Sequence, residues 1–326
     1  MSSLAQETFT LDLRPAYRLL VAAKRYRAND AQPNPDALTL LFVHSTHTCK
    51  EYWEPTIDDL VTHVSAASRR RIHDIWAVDA PYHGDTALLN EGRPEADETG
   101  PFEEWEHWLR AVLNCEALRH RRVVLIGHSM GAAVLPLAFI REPRPHNVAA
   151  LILVEPIALK GLDNFEQYAN ILPEGARRRG TRFESFERAL AHFEALPSWK
   201  GYDERIIKKF VDHSFRPLPE GGVASKCTLE REIECYNDPQ GLLRVYQALP
   251  RAAQAVPMHL IMAEGNRFMG RAFKDDIINV VAGPGRPATV SFIADAEHVV
   301  VQQKPREVAI HILDVLQALL SGMAKL

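Results

Sequence analysis

Short apolar runs recur along the chain and are separated by amphipathic stretches. Leu38 to Val43, Ile72 to Val78, Val123 to Ile126, Leu151 to Val154, Met258 to Met262 and Thr289 to Ile293 are largely apolar and rich in branched residues. Such runs suit strands covered on both faces. Tyr17 to Tyr26 mixes apolar and basic residues and suits an early antiparallel strand. Between the runs, Tyr52 to Ser68, Phe102 to Leu118, Ala132 to Ile140 and Val308 to Leu320 carry the spacing of helices packed on one side. Strands alternating with helices predict an α/β domain with a mostly parallel central sheet.

The alternation stops between residues 156 and 257. This interval is polar and rich in Arg, Glu and aromatics, with helical stretches expected at Phe183 to Leu196, Asp203 to Phe215 and Gln240 to Leu249. A core strand follows it, so it reads as a helical cap inserted between core strands rather than as a separate domain. The predicted organisation is a first core part over 1–155, a cap over 156–257, and a second core part with a C-terminal tail over 258–326.

Composition narrows the class only modestly. The 326 residues are 46% hydrophobic and 25% charged, enough for one sizeable core. A net charge of −4 argues against a general nucleic-acid binder. Cys49, Cys115, Cys227 and Cys235 lack C-x-x-C spacing and read as reduced thiols of an intracellular protein. Met1 to Thr10 has no basic stretch leading into an apolar run, so no secretory leader is expected, and no apolar segment is long enough to span a membrane. Ala324-Lys325-Leu326 is a conservative variant of the Ser-Lys-Leu address, and the expected partner is a peroxisomal import receptor.

One pentapeptide carries most of the chemistry. Gly127-His128-Ser129-Met130-Gly131 lies between a buried strand and the apolar start of a helix. A G-x-S-x-G in that context is a nucleophile elbow: Ser129 stands exposed on a strained turn, and the Met130 amide faces the oxygen of the group attacked. A serine hydroxyl is a weak nucleophile at neutral pH and needs a histidine base oriented by a carboxylate.

These features resemble the α/β-hydrolase superfamily over nearly the full length of the chain. The resemblance implies the chain order serine, acid, histidine. His298 has the expected place, just after the strand Thr289 to Ile293. The acid of many relatives follows the strand Met258 to Met262, but there Asn266 stands where Asp is usual. The superfamily's alternative acid lies at the end of the preceding strand, which here is Glu155. Glu264 is the second candidate, and Asp295 and Glu297 lie too close to His298 in sequence to orient it. The oxyanion loop follows Val43, with Ser45 in place of the usual glycine and the Thr46 amide as second donor. His44, Ser45, His47, His128 and Tyr82 are expected to border the pocket, and Asp79 to be structural. Arg177, Arg178, Arg179 and Arg182 read as a solvated basic loop rather than as a phosphate site. No cofactor is implied, and no metal-ligand spacing is visible.

A narrower resemblance rests on Lys50-Glu51-Tyr52-Trp53-Glu54-Pro55, Ile75-Trp76-Ala77-Val78-Asp79, Leu88-Leu89-Asn90-Glu91, the acid after Val154 and the tail. These are similar to a fungal subgroup of peroxisomal acyl-CoA hydrolases that includes the enzymes of mycophenolic acid and host-selective toxin pathways. The chain departs from that subgroup in carrying Glu rather than Asp as the acid. The resemblance implies hydrolysis of an acyl thioester through an acyl-enzyme. The alternatives are a carboxylesterase, lipase or lactonase using the same residues, or a non-catalytic binding protein of the same fold.

Overall fold

The computed structural model describes residues 4–28, 34, 37–93, 99–162, 165, 171–282 and 288–323. Ala324, Lys325 and Leu326 lie outside them. The strands are β1 (Leu4–Asp12), β2 (Leu20–Ala28), β3 (Leu38–Val43), β4 (Ile72–Val78), β5 (Arg122–His128), β6 (Val148–Val154), β7 (Arg182–Phe183), β8 (Phe215–Pro217), β9 (Val223–Ser225), β10 (Met258–Ala263) and β11 (Ala288–Ile293). Eight of them form one sheet in the order β1-β2-β4-β3-β5-β6-β10-β11. β1 and β2 pair antiparallel, as do β2 and β4, and the remaining pairs are parallel.

Strand period divides the core between the two faces of this sheet. Leu41, Val43, Leu125, Leu151 and Leu153 point to one face, where they meet Trp105, Leu109, Val245 and Leu249 from the helices Pro101–Asn114 and Pro239–Ala255. Leu40, Phe42, Val124, Ile126 and Ile152 point to the other, against Ile57 and Leu60 of the helix Glu54–His63 and Val308 and Ile312 of the helix Pro305–Met323. Because both faces are covered, the central strands are mostly apolar, and buried polar residues within them are paired, as Thr39 is with Asp74.

Several elements differ from their sequence reading. β1 is an edge strand paired only to β2, and most of it is exposed. Its apolar face is short, Phe9 and Leu11 packing against the core, and the sequence reading assigns no strand there. The helix expected over Ala132 to Ile140 is instead Met130–Val134 followed by a 3-10 turn, Pro136–Phe139. Pro136 lacks the amide a continuing helix needs and crowds the preceding turn. The stretch Tyr52 to Ser68 is broken into a 3-10 turn Lys50–Trp53, the helix Glu54–His63 and a short turn of helix Ala66–Arg69.

The inserted interval is not wholly helical. Besides the helices Ile171–Arg179, Phe186–Ala195, Glu204–Ser214 and Leu229–Tyr236 it holds a small sheet in the order β7-β9-β8. Its own core gathers Phe193, Trp199, Phe210 and Phe215 around Tyr52 of the main body. The helix Pro239–Ala255 falls within the same interval by sequence, yet its buried residues belong to the core of the large sheet. Among the described residues no helix is long and apolar enough to cross a membrane.

The elbow is the tightest approach in the fold. A Cβ on Gly127 would lie 2.4 Å from the Gly131 carbonyl oxygen, and one on Gly131 would lie 2.3 Å from that of His44 and 2.5 Å from that of Val43. All the obstructing atoms are backbone and cannot yield cheaply. Gly131→Ala is therefore expected to lose about 2–3 kcal/mol of stability or to fold insolubly, whereas Gly161→Ala, which meets nothing within 4 Å, should be neutral. Urea melts of the two variants check this, and equal midpoints would contradict it.

Candidate active site

Every residue of the candidate site comes from the carboxyl edge of the parallel strands, where α/β sheets bind their ligands. That edge also concentrates backbone strain. His47, Tyr82, Ser129, Glu155 and Asp295, in the loops after β3, β4, β5, β6 and β11, have φ of 57°, 61°, 54°, 45° and 52°. A left-handed conformation costs a non-glycine residue about 1–2 kcal/mol, and such strain collects where a fold must aim side chains at one point.

Ser129 caps the helix Met130–Val134 with φ 54° and ψ −120°. Its Oγ lies 2.9 Å from His298 Nε2. His298 Nδ1 lies 3.2 Å from Glu155 Oε2. The structure thus brings Ser129, His298 and Glu155 into one hydrogen-bonded line from three strand ends. Glu155 is 0% exposed. Its other oxygen, Oε1, accepts from the Ala263 amide at 2.7 Å and lies 3.1 Å from Lys274 Nζ. Burial alone would raise the pKa of this carboxyl. The hydrogen bond and charge of His298, the Lys274 ammonium and the Ala263 amide outweigh burial and hold it below the usual range.

Glu264 and Asn266 are exposed in the loop after β10, and Asp295 is exposed in the loop before His298. The Glu297 carboxylate accepts from the Arg267 amide at 3.1 Å. None of these is the carboxylate on His298.

The candidate oxyanion donors lie in adjoining segments. The Met130 amide opens its helix, where no intrahelical acceptor exists for it. Thr46 is held beside it, its hydroxyl donating to Met130 Sδ at 3.3 Å. That bond commits the Thr46 side chain to the elbow, and Ser45 Oγ sits 3.3 Å from Thr48 Oγ1 within the loop, so both hydroxyls are engaged.

The residues expected to border the pocket mostly do other work. His44 is buried, its Nε2 accepting from the Ala80 amide at 3.0 Å, which leaves Nδ1 to donate to the Ser45 carbonyl at 2.7 Å. It pins the loop after β3 to the loop after β4. His128 is buried, and its Nε2 donates to the His298 carbonyl at 3.0 Å, holding the loop that carries His298. His47 packs on Phe210 of the inserted segment with ring centroids 5.5 Å apart. Tyr82 lies under the Arg231 guanidinium, 4.3 Å from its ring centroid, and lines a separate cavity with His83 and Trp105. Asp79 is structural: it accepts from the Lys50 amide at 2.8 Å and from Lys50 Nζ at 2.9 Å. Of the four arginines, Arg179 is mostly buried against Glu232, Arg178 pairs with Glu174, and Arg177 and Arg182 are exposed. The first three end a helix rather than forming a loop.

Two residues at the site escaped the sequence reading. Phe268 places its ring 4.8 Å from that of His298 and lines an apolar cavity with Ile157, Leu159, Leu172, Leu242 and Phe273. Lys274 is buried at the foot of Glu155. A signal for Lys274 was present. In Arg271–Val281 it occupies the first position of the buried stripe that continues at Ile277 and Val281, where a charge is out of place. Among the described residues no group of three or more His, Cys, Asp or Glu is placed to hold a metal ion, and all four cysteines are free thiols.

The profile of the Alpha/beta hydrolase family matches residues 40–310. The chain belongs to that family. A sequence match at 26% identity over 210 residues joins it to the type I acyl-CoA thioesterase mpaH of Penicillium brevicompactum, covering 62% of this chain and 45% of that protein. The chain therefore spans about half the length of the curated relatives it matches. Among solved structures, the peroxisomal alpha-beta-hydrolase Lpx1 of Saccharomyces cerevisiae superposes with a TM-score of 0.77 at 18% identity, over 98% of this chain and 91% of that one. E-2-(acetamidomethylene)succinate hydrolase gives 0.72 at 15% identity, over 95% and 98%. At such identities the likeness is one of fold.

The buried histidines set an acid limit on stability. Burial lowers the pKa of His83 and His259 from 6.5 to about 4, and burial together with the neighbouring His298 lowers that of His128 to about 3. A group whose pKa is depressed by folding contributes fully above its unfolded value and loses that contribution as pH falls toward its folded one. Thermal melts should therefore be flat above about pH 7 and decline steadily from about 6.5 to 4. An unchanged melting temperature down to pH 4.5 would contradict the assignment of these rings as buried and neutral.

Proposed function

We propose that this alpha/beta hydrolase is a serine hydrolase cleaving an acyl thioester of the acyl-CoA type. The reading rests on one observation, the hydrogen-bonded line from Ser129 Oγ through His298 to the buried Glu155. Ser129 attacks the acyl carbonyl as His298 Nε2 takes its proton, and Glu155 holds the ring and stabilises the imidazolium. The amides of Met130 and Thr46 receive the oxyanion. The thiolate departs, protonated by His298 where needed, and water activated by His298 then releases the acid from the acyl-enzyme.

An acyl chain has a natural place beside this line. The cavity bounded by Phe268, Ile157, Leu159 and Leu242 is apolar, and its Phe268 wall packs against the His298 ring. Burying methylene groups there contributes about 0.8 kcal/mol each. We further propose that the inserted segment, from the helix Ile171–Arg179 to the helix Leu229–Tyr236, is the cap that closes over this cavity, since Leu172, Cys235 and Tyr236 form part of its wall. The thioester preference draws on the acyl-CoA thioesterase among the sequence relatives. A peroxisomal setting draws on the relative named for that compartment and on Ala324-Lys325-Leu326, which an import receptor would read if they end the mature chain.

Ser129→Ala should abolish labelling by a fluorophosphonate, and a surviving covalent adduct would overturn the nucleophile. Glu155→Gln should lower kcat by about a hundredfold or more, while Glu264→Gln leaves it unchanged; the reverse pattern would relocate the acid. Thiol release from an acyl-CoA panel, run beside matched oxygen esters, tests the leaving group. A kcat/KM consistently higher for the esters would replace the thioesterase reading with an esterase.

A further inference from the structure

Resting on the triad reading above, we propose that Lys274 is a positioning residue for the acid and base, setting the charge and orientation that Glu155 presents to His298. Its environment is unusual for a lysine. It is 1% exposed, and Nζ lies 2.7 Å from the Ala263 carbonyl, 2.7 Å from the Gly265 carbonyl and 3.1 Å from Glu155 Oε1. An ammonium has three protons, and these are three acceptors. A buried charge is retained only when it is paired and hydrogen-bonded, and among the described residues its carboxylate partner is Glu155.

The two oxygens of Glu155 have separate duties. Oε2 faces His298, while Oε1 is held by Lys274 and the Ala263 amide. The carboxylate is therefore gripped from behind and cannot rotate away from the imidazole without breaking both contacts. The grip originates at the end of β10 and in the loop after it, the stretch where relatives carry their acid and this chain carries Asn266. That segment supplies its backbone instead: the Ala263 amide to Glu155, and the carbonyls of Ala263 and Gly265 to the lysine that pairs with it. A staple that only tied the helix Arg271–Val281 to the loop would need the two carbonyl contacts. The third contact, to the acid itself, couples the charge of this lysine directly to the Glu155–His298 pair.

The electrostatic consequence has a definite sign. An uncompensated carboxylate stabilises an adjacent imidazolium. Lys274 offsets part of that charge, so it favours the neutral, proton-accepting form of the base. The other groups facing the pair are the neutral His128, Ser129 and the apolar Phe268. Asp275 and Asp276, on the same helix as Lys274, are engaged with Arg271 and Lys160.

The test is the rate of Ser129 labelling by a fluorophosphonate as a function of pH, which needs no knowledge of the substrate. Lys274→Gln keeps donors for the two carbonyls and removes the charge; Lys274→Met removes both; Lys274→Arg keeps the charge. In the Gln and Met variants the acidic limb should move up by about one pH unit, and Lys274→Arg should return it toward wild type. In a Glu155→Gln background, Lys274→Gln should produce no further shift. A folded Lys274→Gln protein with an unshifted limb would overturn the inference while leaving the triad intact. Wild-type labelling kinetics in Glu155→Gln alone would overturn the triad reading, and this inference with it.

Discussion

The buried negative charge of Glu155 is the constraint around which the site is arranged. A carboxylate with no exposure is costly unless every lone pair is met. Here an imidazole, an ammonium and a backbone amide meet it. Each partner comes from a different element, β10, the helix that follows it and the loop after β11. Satisfying one charge therefore fixes the relative positions of three segments and aims His298 at Ser129.

The sheet makes that convergence possible. Parallel strands place their carboxyl ends side by side, so β5, β6 and β11 deliver Ser129, Glu155 and His298 to a common edge. The chain accepts left-handed backbone at both Ser129 and Glu155 to turn their side chains inward. Rigid strands packed on both faces absorb that strain, since the core of the sheet cannot relax toward it. The glycines at 127 and 131 serve the same end by letting the elbow touch the backbone of the loop after β3.

Histidines show how context sorts chemically equal residues. His44 and His128 are buried and hydrogen-bonded to backbone, so they act as pins. His298 alone joins a hydroxyl on one side to a carboxylate on the other. The inserted segment packs on the main body at particular points. Its aromatic core includes Tyr52 of the main body, and its last helix contributes to the wall of the apolar cavity next to His298.

Local pattern was enough for the sheet's central strands, because strands covered on both faces are largely apolar. The elbow was legible for a similar reason: its glycines are forced by backbone contact, and their spacing survives in the sequence. Asn266 in place of an acid pointed to Glu155 through the resemblance, since the end of the preceding strand is the superfamily's alternative place for the acid. The edge strand β1, the small sheet β7-β9-β8 and the packing of Pro239–Ala255 onto the main core left no such trace. Their form depends on which surfaces they meet. The same holds for Lys274, whose place in an apolar stripe was visible but whose partner was not. Only the folded sheet brings a lysine at 274 to a glutamate at 155, because that pairing spans the whole inserted interval and β10, and no local spacing encodes it.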